Sequence, residues 1–127
     1  MDTQHSHTVE RAGRRMRVRY SGGIIADSDK ALVLREGGGE LTVFFPRDSV
    51  EMGYLGPTET VTRHPGLGEA KHWTFIRDGN ILEDAVFTYE RPEGSAAELA
   101  GYLAFDASKG FEIYDVTEDD QGHYRHR

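Results

Sequence analysis

Phe44-Phe45-Pro46-Arg47-Asp48 is the segment of this 127-residue chain whose residue types and spacing most invite chemistry. Proline cannot donate to a sheet ladder, so Pro46 marks a strand end or edge and sets Arg47 and Asp48 at the rim of a core. A guanidinium there donates in a fixed fork suited to an anionic or carbonyl-bearing ligand; its alternative is to pair with Asp48. His64, between Arg63 and Pro65, is the best placed titratable residue, because imidazole serves as a base or hydrogen-bonding group near neutral pH. Its bland alternative is a half-exposed loop histidine. His72 reads as a surface residue on a strand.

Other constellations are weaker. Asp27 and Ser28 could join His64 in a hydrolytic triad, but no nucleophile elbow surrounds them, and neighbouring aspartate and serine are turn formers. Glu83 and Asp84 are successive strand residues that face opposite sides, so they do not address one substrate together. Gly22-Gly23 and Gly37-Gly38-Gly39 lack the lysine and following helix of a phosphate cradle and read as turns. His5, His7, His123 and His126 could chelate a metal only if the termini met; they read as solvated, and neither a metal nor a cofactor is expected.

Composition narrows the classes further. The formal charge of −7 argues against nucleic acid as a partner, which needs a clustered basic surface. Arg11, Arg14, Arg15, Arg17 and Arg19 form the one basic cluster, and the last two alternate with Met16 and Val18 as the polar face of a strand. The chain contains no cysteine, which excludes disulfides, thiol catalysis and thiolate zinc sites and fits a reducing compartment. No apolar run approaches membrane-spanning length, and the first residues lack a signal-peptide pattern, so a soluble cytoplasmic protein with no membrane partner is expected.

The elements that must position these residues are strands. Met16–Tyr20, 24–26, 31–36 and 41–45 are short apolar or alternating runs separated by Ser21-Gly22-Gly23, Asp27-Ser28-Asp29 and the triple glycine, which predicts an antiparallel meander. Residues 47–52 have room for a helical turn, and Gly53 through Gly68, with Gly56, Pro57, Pro65 and Gly66, read as a long functional loop. Residues 69–76 and 81–89 form a longer hairpin around Asp78-Gly79-Asn80; a short helix at 96–100 precedes strands at 102–105 and 111–116. The expected organisation is a flexible leader at 1–14, one β-rich domain at 15–117 and a polar tail at 118–127 that includes Glu118-Asp119-Asp120.

Ala26-Asp27-Ser28, Phe44-Phe45-Pro46-Arg47-Asp48-Ser49-Val50, Gly68-Glu69-Ala70, Glu83-Asp84-Ala85 and Ala100-Gly101-Tyr102-Leu103-Ala104-Phe105, in that order and spacing, resemble the family called domain of unknown function 427. The resemblance runs from about Val18 to Ile113. It implies a mainly β single domain of the β-tent or Mss4-like type, with two antiparallel sheets, one or two short helices, and aromatics lining a cleft between the sheets. A nucleotidyltransferase-like label attached to the family finds no nucleotide motif here. His64 and Leu67 stand where the family commonly has cysteine and lysine, and Phe87 replaces a common tryptophan. A role that needs a thiol or a loop lysine therefore does not carry over.

Trp73, Phe75, Phe87, Tyr89, Tyr102 and Phe105 alternate on strands, which is first a core signal and, if one face opens to the long loop, an aromatic cleft. The expected ligand-binding residues are Phe45, Arg47, His64, Trp73, Phe87, Tyr89 and Tyr102. The leading reading is a small-molecule-binding domain that is not demonstrably an enzyme. One rival is a small hydrolase or transferase with His64 as base and Arg47 as anion anchor. The other is a protein-interaction module or homodimer formed through an exposed sheet edge or the aromatic face.

Overall fold

The computed structural model describes residues 7–116. Ten strands follow one another: β1 (His7–Arg11), β2 (Met16–Tyr20), β3 (Gly23–Ser28), β4 (Leu32–Glu36), β5 (Leu41–Phe44), β6 (Leu55–His64), β7 (Gly68–Arg77), β8 (Asn80–Tyr89), β9 (Leu103–Phe105) and β10 (Glu112–Asp115). The described helical segments include the short 3-10 turns Arg47–Ser49, Met52–Tyr54 and Gly94–Leu99. The domain is mainly β and antiparallel, as the sequence predicts. Its strands divide into three sheets rather than two, ordered β1-β4-β5, β10-β2-β3 and β6-β7-β8-β9.

Two tight turns set the registers of the best-defined hairpins. Ser21 (φ 48°) and Gly22 (φ 83°) join β2 to β3, and Asp78 (φ 50°) with Gly79 (φ 84°) joins β7 to β8. Positive φ at both central residues matches the right-handed twist of the flanking strands. The expected meander breaks after β3. Ser28 Oγ accepts from the Lys30 amide at 2.9 Å, and the chain leaves for the other small sheet, where β4 lies between β1 and β5.

Two further expectations are corrected. The 1–14 leader contains β1, which pairs with β4 from His7↔Glu36 to Arg11↔Leu32. This strand lacks apolar alternation because it is held by backbone pairing, with Val9 alone packed on the core. The long loop at 53–68 is mostly β6, paired with β7 from Leu55↔Phe75 to His64↔Gly68. Pro57 is tolerated because β6 lies at the sheet edge, and the register shifts between Pro57 and Val61. Residues 1–6, with His5, and residues 117–127, with Glu118-Asp119-Asp120, His123 and His126, lie outside the described part.

The four-stranded sheet carries core on both faces. Strand alternation sends Trp73, Phe75 and Val86 to one side, with Val18, Ile25, Phe45 and Phe105, and sends Ala70 and Tyr89 to the other, with Leu34, Phe44 and Leu99. Phe45 and Leu103 exchange two backbone hydrogen bonds, of 2.8 and 2.9 Å, and so join β5 to the edge strand β9. Phe75 is fully buried, with ring centroids of Tyr20, Tyr54 and Phe111 at 5.1, 5.9 and 5.2 Å. Beside it, the Arg77 guanidinium covers the Tyr54 ring and donates to the Tyr20 carbonyl at 3.0 Å, and a side chain at Gly23 would run into it. Phe75→Ala removes the centre of this ring cluster and is expected to lower unfolding free energy by about 3–5 kcal/mol in urea titration; a loss below about 1 kcal/mol would contradict the packing described.

Candidate functional site

The expected ligand residues fall into separate groups. Arg47 is exposed at the start of its 3-10 segment, with its guanidinium 5.6 Å from the Trp73 ring centroid. No ion pair joins it to Asp48 among the described residues. Phe45 is buried in the same cluster as Trp73. His64, Phe87 and Tyr89 gather on the opposite face: the His64 ring meets Tyr89 edge-on at 5.5 Å, and Phe87 meets Tyr89 at 6.0 Å. Trp73 pairs with Val86, three residues from Tyr89, and an odd spacing along β8 puts Trp73 and Tyr89 on opposite faces. Arg47, Trp73 and Tyr89 therefore do not form one cleft. Tyr102 is half-buried against the Tyr89 cluster.

The triad is also not assembled. Asp27 accepts from Arg15 Nε at 2.8 Å and from Arg17 Nη2 at 3.1 Å, and Ser28 is buried in its turn. Arg14 pairs with Asp115 at 2.6 Å, and Arg19 lies 5.3 Å from the Tyr114 ring centroid. Most of the basic cluster is thus engaged with neighbouring side chains on its own sheet.

A polar constellation not expected from the sequence occurs where β6 and β8 both leave regular register. Asp84 adopts a left-handed conformation (φ 51°), which aspartate tolerates better than most residues. Thr58 Oγ1 donates to its Oδ1 at 2.7 Å and Thr60 Oγ1 to its Oδ2 at 2.9 Å, while the Asp84 amide donates to Thr74 Oγ1 at 3.3 Å. The two threonine hydroxyls hold the Asp84 carboxyl below the usual carboxylate range, aided by the nearby His72 and Lys109 charges and opposed by partial burial. His72 Nδ1 lies 3.3 Å from the Thr60 carbonyl, which can only accept, so this nitrogen carries the proton. Nε2 is left outside this contact and is an acceptor whenever the ring is uncharged. His64 differs, because its Nε2 already contacts Thr62 Oγ1 at 2.9 Å.

Phe87 connects this constellation to a depression. Its ring lies 6.1 Å from His72, and it lines a groove of about 460 Å³ between β5 and the end of β9, together with Leu41, Val43, Phe105, Asp106 and Ile113. Apolar walls beside a few fixed polar groups are the usual make-up of a small-molecule site. Of the expected ligand residues, Phe87 alone lines this groove.

A model of the family described as a domain of unknown function, DUF427, matches residues 8–118. The chain belongs to that family. Among curated proteins, none matches it. In this DUF427 domain, His64, Leu67 and Phe87 lie together around Tyr89. Among the described residues, no cluster of histidine and carboxylate side chains has the arrangement to hold a metal ion.

Two titrations follow from these environments. Asp84 is shifted down, so its stabilising contribution is complete above the ordinary carboxyl range near 3.8 and is lost as pH falls through its lower folded value. Urea midpoints of wild type and Asp84→Asn should differ at pH 7 and converge toward pH 3; a constant gap would exclude the ionised, threonine-held carboxylate. Burial, reinforced by the Glu36 charge, pushes the Tyr89 phenol up to about 12. Stability from this group is full below about pH 10, the ordinary tyrosine value, and declines as pH rises toward 12. Tyr89→Phe should flatten the alkaline fall in melting temperature, and an unchanged fall would contradict the buried phenol.

Proposed function

We propose that this domain binds a small, partly apolar molecule in the groove between β5 and β9, with Phe87 as a wall, and that the molecule reaches past Phe87 to His72 and Asp84 as polar anchors outside the groove lining. The observation that carries this reading is the position of Phe87, which belongs to the groove and packs on the histidine whose Nε2 makes no hydrogen bond among the described residues. Asp84 accepts hydrogen bonds, as does Nε2 of the uncharged His72 ring, so the ligand that suits them carries a hydroxyl or an amine. An anionic or carbonyl-bearing ligand is read from Arg47, which lies against Trp73 on the other face of the sheet. The three antiparallel sheets are consistent with a β-tent domain of the Mss4-like type, and the lack of cysteine with a cytoplasmic, reducing setting.

A second reading, a small hydrolase or transferase, is favoured at His72 over His64 because the Thr60 carbonyl fixes which His72 nitrogen carries the proton, whereas the Thr62 hydroxyl can donate to or accept from His64 Nε2. Proton abstraction needs a free ring nitrogen within hydrogen-bond reach of the reacting group.

A library of small aromatic alcohols and amines, followed by amide and side-chain chemical shifts, tests the binding reading. Hits should move Phe87, His72 and Asp84, and Phe87→Ala should weaken them about tenfold or more. Hits that map elsewhere, hits indifferent to Phe87→Ala, or no hits across the library would overturn it.

A further inference from the structure

A separate depression of about 440 Å³ lies where the end of β1, the turn between β3 and β4, and the segment leading into β9 come together. Arg11 and Lys30 line it with two positive charges, Asp29 and Glu98 with two negative charges, and Leu32 and Tyr102 with apolar surface. Opposite charges close together elsewhere on this surface pair with one another, as in Arg63–Glu69 at 3.2 Å, Lys71–Glu90 at 3.1 Å and Arg35–Glu10 at 3.8 Å. The four charges of the depression do not: among the described residues, none of their side chains is held by a hydrogen bond or an ion pair. The surrounding backbone is nevertheless fixed. Tyr102 donates its amide to Leu99 at 2.8 Å and accepts from Thr88 Oγ1 at 2.6 Å, Ala12 donates to the Ala31 carbonyl at 2.9 Å, and the Lys30 amide is held by Ser28.

We infer that this depression is a binding site for a zwitterion of the amino-acid class, with the carboxylate met by Arg11 and Lys30 and the ammonium by Asp29 and Glu98. A simple anion is attracted by one pair and repelled by the other, and the same holds for a simple cation. A molecule carrying both charges a few bonds apart satisfies both pairs. Arg11 supplies the planar fork that matches a carboxylate, and Leu32 with Tyr102 gives an apolar side chain a surface to cover. The volume lies in the range of small-ligand pockets, about 300–1,000 Å³, and the fixed backbone lowers the ordering cost of binding.

Isothermal titration of the whole chain with L-leucine, N-acetyl-L-leucine and L-leucinamide tests this, because the second compound lacks the ammonium and the third the carboxylate. L-Leucine should bind, and each blocked compound should bind about tenfold more weakly or worse. Arg11→Gln and Glu98→Gln, both at exposed positions, should each weaken L-leucine about tenfold, whereas Lys71→Gln, an exposed charge outside the depression, should leave it unchanged. Chemical shifts at Leu32 and Tyr102 should move on addition. Blocked compounds binding as well as L-leucine, affinity indifferent to both charge variants, or no binding of L-leucine or any other proteinogenic amino acid would overturn the inference. The depression shares no lining residue with the groove between β5 and β9, so this outcome is separate from the fate of that groove.

Discussion

Two adjacent phenylalanines at the end of β5 hold the three sheets in relation to one another. Phe44 turns to the Tyr89 side and meets Phe87 at 5.9 Å, while Phe45 turns to the Trp73 side and meets Phe105 at 6.0 Å. Between these anchors the backbone of Phe45 is bonded to Leu103, so β5 cannot slide along β9 without breaking two hydrogen bonds and withdrawing two buried rings. The four-stranded sheet is consequently enclosed on both faces over much of its area. Pro46 then ends pairing, and Val50 makes one bridge to Ala26, tying the same segment to the third sheet.

The polar constellation depends on departures from the regularity that builds the core. A regular β8 would continue the alternation through Asp84, and a regular β6 would keep Thr58 and Thr60 in step with β7. The register shifts bring hydroxyls from an edge strand onto a carboxylate two strands away. An aspartate with positive φ carries a modest conformational cost, and its three hydrogen bonds, one through its amide, make that conformation specific. Bulges commonly serve to re-aim side chains near functional surfaces.

Much of the fold is legible in the sequence because its signals are local. Ser21-Gly22 and Asp78-Gly79 announce tight hairpins, the alternation at Met16–Tyr20 marks β2, and Pro46 announces the end of β5. β6 is obscured by its own punctuation: Gly56, Pro57, Pro65 and Gly66 suggest a loop, although Thr58, Thr60 and Thr62 alternate in the manner of a strand. β1 has no such pattern and forms because β4 offers an edge. The site was less accessible for a related reason. Placing Trp73 and Tyr89 on opposite faces requires the pairing of Trp73 with Val86, and finding Asp84 beside Thr58 and Thr60 requires two register shifts, both of which are relations between distant segments.

β6 also shapes how the molecule meets others of its kind. A long, regular strand at a sheet margin offers a continuous row of amides and carbonyls on which another chain can build, the first step toward uncontrolled stacking. Here Pro57 removes one donor, the shifted stretch that follows breaks the row, and the exposed charges of Glu59 and Arg63 flank Val61. The irregularity that gathers hydroxyls around a carboxylate therefore also makes this margin a poor template for growth, so straightening it would expose the protein to aggregation as well as disperse the site.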